Sequence, residues 1–177
     1  VSEPRANELL AIALAVLEEE GLEKLGVGTI SRRAGIKPPS LYKQFTSKAD
    51  IEQQLSDLGF RLWARELAAA SAALPPTASR RDHIAALAFS YRALGRGNPQ
   101  LFRLMNERPL LGPQLVSAVG EAGAIDYGEL FPTLTAGMSF WAWGHGILML
   151  EIVGRFPPEV DLDEMWNTMI DSVGSIE

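Results

Sequence analysis

The chain has no cysteine and only two histidines, His83 and His145, among its 177 residues. Without a thiol there is no disulfide framework, no thiolate nucleophile and no cysteine-ligated zinc, and nothing calls for an oxidising compartment. An intracellular protein is expected. HExxH, GxSxG and phosphate-loop motifs are absent, and GVGTIS at 26–31 lacks the third glycine of a dinucleotide fingerprint. Nothing points to carboxylate catalysis either, so no enzyme, cofactor or metal site is expected. Cations are also in the minority: Lys+Arg 16 against Asp+Glu 22 gives a net charge of −6, which argues against a general nucleic-acid coat protein. Alternating strand patterns, internal repeats and low-complexity linkers are missing as well.

Two apolar runs are present, and neither reads as a targeting segment. Leu9 to Leu17 has the length of a signal-peptide core, but Glu8 precedes it and Glu18, Glu19 and Glu20 follow it. Leu130 to Leu150 carries no Asp, Glu, Lys or Arg, yet it includes Pro132, Thr133, Thr135, His145 and three glycines. A buried helix explains each run better than a membrane span.

What the chain has in abundance is helix-forming residues: Leu (24) and Ala (22) outweigh Val, Ile and Thr, which together number 24. An all-α fold of about nine helices is expected from the breaks and caps. The spacing predicts helices over Ala6–Glu20, Val27–Arg33 and Pro38–Gln44, the first two stopped by Gly21 and Gly35. A capping-box-like Ser47 and Asp50 open a long helix to about Ala73, and Ser79 opens a fifth to about Leu94. Short helices follow to Met105 and over Pro113–Ala122, then a long apolar one from Pro132 to Gly154. Asp161 or Asp163 caps the last. The expected domains are 1–47 and 48–177.

The charge is not evenly spread. From Lys24 to Lys48 there are six cations (Lys24, Arg32, Arg33, Lys37, Lys43, Lys48) and no carboxylate, leaving 10 cations against 22 acids, or −12, elsewhere. That reversal coincides with two short helices joined by a tight turn, the electrostatic footprint of a helix-turn-helix. Val27, Ile30, Ala34, Ile36, Leu41 and Phe45 are spaced to pack both short helices on the first one, leaving the cations outside. The structural alternative is a solvated basic face on a three-helix unit.

ISRRAGIKPPSLYKQFTSKADI, within Leu9 to Leu58, resembles the helix-turn-helix signature of the TetR family of transcriptional regulators almost position by position. FWAWGHGILMLEIVGRFPP resembles the Trp-His-Gly helix of one group of that family's regulatory domains. The sequence departs from the pattern at Gly26, usually Thr; at Gly28, usually a longer side chain; and at Pro38 and Pro39, usually small or polar residues. The resemblance assigns phosphate contacts to Tyr42, Lys48 and the start of the fourth helix. Base reading then falls to Lys37, Lys43 and Gln44, with Pro38, Pro39 and Ser40 against thymine methyls. Arg32 and Arg33 complete the expected DNA-binding set.

One helix-turn-helix reads few base pairs, so a homodimer on a double-stranded operator is expected. The last two long helices are the candidate interface, through Gly137, Trp141, Gly144, Leu148, Ile152, Met165, Trp166 and Met169, with Ala136, Ser139 and Gly146 offering further small surfaces. The resemblance also implies a small-molecule effector held between the fourth and eighth helices. Phe89, Tyr91, Phe102, Leu104, Met105, Phe140, Trp143 and Met149 are its apolar candidates, with His145 and Tyr91 as polar anchors. The competing readings are plain core packing for those residues and, for the whole chain, a helical adaptor that does not bind DNA.

Overall fold

The computed structural model describes residues 3–106 and 127–174. The helix expected over Pro113–Ala122 lies outside the described residues. Nine helices and no strand are found among those described: α1 (Glu3–Glu20), α2 (Val27–Arg33), α3 (Pro38–Leu41), α4 (Lys48–Ala72), α5 (Arg80–Gly97), α6 (Pro99–Asn106), α7 (Tyr127–Leu130), α8 (Leu134–Ile152) and α9 (Leu162–Gly174). Packing divides them differently from the expected 1–47 and 48–177. One compact unit holds α1 to α3, α4 as far as Leu62, and α6; the other holds α4 from Trp63 onward, α5, α7, α8 and α9.

In the first unit, α1 packs against α2 and α6, and α2 against α3. Of the six residues that the sequence spacing puts inside, Ile30, Leu41 and Phe45 are fully buried and Val27, Ala34 and Ile36 half-buried; Leu17, Leu25, Ile51 and Leu55 complete the interior. Burying an aromatic or aliphatic side chain of this size contributes about 1.5–3 kcal/mol each. α6 is joined to α1 by polar bonds too, because the Glu18 carboxylate accepts from the backbone N–H groups of Gln100 (3.1 Å) and Leu101 (2.8 Å). It satisfies donors that no intrahelical carbonyl can reach. α4 comes close to α6 at Gly59, where a Cβ would lie 2.3 Å from Met105 Sδ.

Caps follow the sequence closely. Ser79 Oγ accepts from Asp82 N (3.2 Å) while Asp82 accepts from Ser79 N (2.8 Å), a reciprocal box that opens α5. Thr133 caps α8, which begins at Leu134, and Asp161 caps α9 through the N–H groups of Asp163 and Glu164. Gly154 takes a left-handed φ of 65° after α8, with Arg155 N bonded to Leu150 O at 2.9 Å. α5 runs past the expected break at Gly95. There the missing side chain makes room for Leu148 of α8, whose Cδ2 would stand 2.6 Å from an added Cβ.

The second unit is organised about a buried cation. Arg92, on α5, is 7% exposed and forms a two-pronged pair with Glu151 of α8 (Nη2–Oε1 2.9 Å, Nε–Oε2 3.0 Å). Its Nη1 bonds the Asp163 carboxylate of α9, and its guanidinium lies 5.6 Å from the Trp166 ring centre. Trp166 in turn donates its indole N–H to Glu151 at 3.3 Å. Burial opposes the charge on Arg92, but the bonds from Glu151 and Asp163 outweigh it and hold the proton more firmly than in a free guanidinium.

Removing one partner strands the other charge in the interior. Glu151→Ala should therefore lower the unfolding free energy by about 3–5 kcal/mol, whereas Arg92→Met combined with Glu151→Leu should restore most of the loss. Denaturant titration of the three variants checks both, and a double variant as unstable as the single one contradicts this account.

Candidate nucleic-acid interface

α2 begins without a side-chain cap. Gly26 occupies the cap position in extended backbone, and open space surrounds the position a Cβ would take at both Gly26 and Gly28. The turn to α3 is made by Gly35, at a left-handed φ of 65°, and closed by Ile36 N bonding to Ser31 O at 3.0 Å. Pro38 and Pro39 follow Lys37 as the first two residues of α3, where neither missing N–H would have an intrahelical partner. α3 ends at Leu41, short of the expected Gln44, because the chain tightens: Gln44 N bonds Leu41 O at 2.8 Å, and Phe45 turns into the core.

With Leu41 and Phe45 locked beneath it, α3 presents Lys37, Pro38, Pro39, Ser40, Tyr42 and Lys43 to solvent, Tyr42 being 55% exposed. Arg32 is exposed on α2 beside them. At the start of α4, Ser47 Oγ accepts from Asp50 N (3.1 Å), and the Asp50 carboxylate reaches back one residue further than expected, to Thr46 N at 2.7 Å. Bonds from Gln54 and then Thr46 draw the Asp50 carboxyl below its usual 3.8.

Two side chains of the expected DNA-binding set have partners within the chain. Arg33 is drawn back onto α1, where its guanidinium bonds Glu19 and lies 3.5 Å from Glu20. It fastens α2 to α1 rather than standing free. Gln44 is half-buried, its amide donating to Gln54 Oε1 at 3.2 Å while Gln54 donates to the Gln44 carbonyl at 3.3 Å. Its bidentate edge is turned toward α4. Lys48 donates to Leu22 O at 2.8 Å, so its ammonium also closes the end of the loop after α1, with two further N–H donors in reserve.

The expected regulatory residues separate. Phe102, Leu104 and Met105 are buried in the first unit. In the second, Tyr91 and His145 meet: the hydroxyl and Nδ1 share a hydrogen bond of 2.9 Å. Trp63 lies tilted against Tyr91 at 5.3 Å, and Trp141 stacks on His145 at 5.3 Å. Trp63 is absent from the sequence-based set, because nothing in the pattern along α4 distinguishes it from other apolar positions. Burial pushes the Tyr91 hydroxyl well above its usual 10.0 and holds His145 below its usual 6.5. Phe140 and Met149 are half-buried, Phe140 against Phe131 at 5.2 Å. Phe89 and Trp143 are 37% and 43% exposed.

The interface set also divides. Leu148, Trp166 and Met169 have no exposed surface and Gly144 is buried, so these four belong to the protomer's own core. The reason is that Gly144 admits α9 of the same chain, with Met169 Sδ 3.4 Å and Trp166 Cζ3 3.5 Å from an added Cβ. Gly137 similarly faces Phe131. Ile152 and Met165 are half-buried, and Trp141 is partly exposed beside His145. What α8 leaves uncovered is a wide apolar face of Leu134 (84% exposed), Met138, Trp143, Leu150 and Val153. Among the described residues no helix is long and apolar enough to cross a membrane, and no group of His, Asp or Glu is arranged to hold a metal ion.

Two family models match the chain: bacterial regulatory proteins of the tetR family over residues 9–55, and the tetracyclin repressor-like C-terminal domain over residues 84–173. The chain therefore belongs to the TetR family of helix-turn-helix regulators of transcription. No curated protein matches it in sequence. Solved structures share the fold. A protein of unknown function from Rhodococcus sp. RHA1 aligns with TM-score 0.79 and 22% identity, covering 96% of this chain and 93% of its own. A TetR variant from Acinetobacter baumannii AYE in complex with minocycline gives 0.69 and 18%, covering 99% and 95%. The fatty acid degradation regulator FadR from Bacillus halodurans gives 0.68 and 13%, covering 99% and 97%.

Two measurements follow from this geometry. Gly26→Ser should stabilise the protein by about 0.5–1 kcal/mol, by capping α2 and restricting the unfolded chain, without clash; a lower melting temperature contradicts the cap analysis. The His145 ring is held neutral, so the unfolded chain takes up its proton first. Its contribution is complete above pH 6.5 and is lost as the pH falls through the lowered value. Asp50 and Asp82, both drawn below 3.8, lose theirs only in stronger acid. Melting curves between pH 7.5 and 5 should fall for the wild type and flatten for His145→Gln.

Proposed function

We propose that the chain is a ligand-responsive repressor that binds a palindromic operator as a homodimer and is released by a small apolar or aromatic effector. The observation that carries the DNA-binding part is the outward surface of α3: Lys37, Ser40, Tyr42 and Lys43 stand in solvent on a helix whose underside, Leu41 and Phe45, is fixed in the core. The acidic remainder of the molecule repels DNA, so productive approach is confined to this wedge. Lys37, Ser40 and Lys43 reach base edges, with Pro38 and Pro39 beside them, while Tyr42, Lys48, Arg32 and the first N–H groups of α4 take phosphate oxygens.

Support for the homodimer comes from the uncovered face of α8, whose Leu134, Met138, Trp143, Leu150 and Val153 form apolar surface of the kind that a second copy covers. Two copies would set their α3 helices about 34 Å apart, one turn of DNA. The effector is assigned to the cluster of Trp63, Tyr91, Trp141 and His145, where aromatic faces surround a single hydrogen-bonded polar pair. An aromatic ligand with one hydrogen-bonding group suits that chemistry. It would release DNA to the extent that it binds one spacing of the α3 helices better than another. The minocycline complex of the Acinetobacter relative shows that a protein of this fold takes a polycyclic ligand. A DNA-binding role of this kind fits a cytoplasmic location.

Gel-shift titration against genomic fragments at several salt concentrations tests the reading. Sequence-selective binding with a steep salt dependence is expected, and Lys48→Ala should weaken all sequences alike and reduce the slope of log K against log salt by about 0.9. Binding that is neither selective nor salt-dependent would instead identify a helical adaptor.

A further inference from the structure

In the aromatic cluster of the second unit the polar groups form a line with a direction. Trp141 can only donate through its indole N–H, and the Tyr91 hydroxyl oxygen accepts from it. Tyr91 turns its own hydrogen to His145 Nδ1, 2.9 Å away. Burial keeps that hydroxyl protonated and His145 neutral, so neither step is blurred by ionisation near neutral pH. A neutral imidazole whose Nδ1 accepts must carry its hydrogen on Nε2. The chain of bonds therefore runs from Trp141 through Tyr91 to His145 and ends in an N–H donor. Trp63, tilted on Tyr91 at 5.3 Å, and Trp141, stacked on His145 at 5.3 Å, supply flat apolar walls.

We infer that the effector is a neutral planar carbonyl compound, an aryl ketone, ester or lactone, whose oxygen accepts from His145 Nε2–H. The inference rests on the reading above that this cluster holds the effector, and it adds the polarity and charge that the ligand must have. Whatever accepts from Nε2 in the effector-free chain, a molecule that displaces it must accept in turn or strand a donor against aromatic surface. A ligand whose polar group only donates cannot do so, and the ring's own acceptor, Nδ1, is engaged by Tyr91. Charged ligands are disfavoured as well. None of the four side chains is ionised, so a carboxylate or ammonium would lose water without gaining a counter-charge from them. Tyr91 is thus a positioning residue, acting on the ligand through the tautomer it imposes on His145.

The test uses the full chain with nitrogen-15 in its histidine rings, His145 being told from His83 by a His83→Gln variant. Its probes share one shape: 1-indanone is a carbonyl acceptor, indole an N–H donor and indene neither. In proton–nitrogen NMR spectra at neutral pH, His145 should show a hydrogen on Nε2 and a bare Nδ1. 1-Indanone should move the Nε2 signal and bind about tenfold tighter than indole or indene, the weight of one hydrogen bond in a dry site. In the Tyr91→Phe variant both tautomers should appear, and the preference for 1-indanone should shrink to less than about threefold. A hydrogen on Nδ1 in the wild type overturns the inference. So does indole binding at His145 as tightly as 1-indanone; both results leave the effector site in place. If none of these probes shifts the His145 ring signals up to its solubility limit, the assignment of the cluster as the effector site falls, and this inference with it.

Discussion

A guanidinium withdrawn from water governs how the second unit is assembled. Arg92 can be buried only if its donors are met, and Glu151 and Asp163 meet them from two different helices. That requirement fixes the rotation of α8: Glu151, and with it Leu148 and Gly144, must face inward. α8 is apolar nearly all round, so turning this stripe inward necessarily leaves hydrocarbon on the opposite side. The exposed Leu134, Met138, Trp143, Leu150 and Val153 are thus a consequence of satisfying one buried cation.

The first unit solves a different problem, which is to hold a small polar surface rigid without burying it. α3 has only four residues and could not persist alone. Its conformation is imposed from below by Leu41 and Phe45, and at its start by two prolines whose φ is already set for a helix. The same economy appears in the charges. Arg33 belongs to the cationic stretch by sequence, yet it joins α2 to α1, and Lys48 closes a loop end through Leu22. The local excess of positive charge therefore has two uses, internal fastening and display.

Much of this was legible in the sequence because it is local. Caps at Ser47, Ser79 and Asp161, stops at Gly21, Gly35 and Gly154, and the apolar spacing of Ile30, Leu41 and Phe45 each depend on a few neighbouring residues. The failures share the opposite property. Small residues along α8 announce a close approach but not by what, and at Gly144 the approaching element is α9 of the same chain. Gly95 reads as a break in one dimension and is a notch for Leu148 in three. Arg33 and Gln44 carry the right chemistry for DNA, but Glu19, Glu20 and Gln54, which engage them, lie 10 to 14 residues away. Trp63 was missed for the same reason, its aromatic partner Tyr91 being on another helix.

The pair of bonds from Glu18 to the start of α6 bears on how this architecture can be recombined. Because a segment near residue 100 completes the walls around α1, the headpiece is discontinuous in sequence. A graft that transplants residues 1–47 alone onto a related regulator would sever that carboxylate from its two amides and uncover part of α1. Exchange of headpieces between such proteins thus demands that α6 travel too, which makes the reader and the segment below it units of joint inheritance.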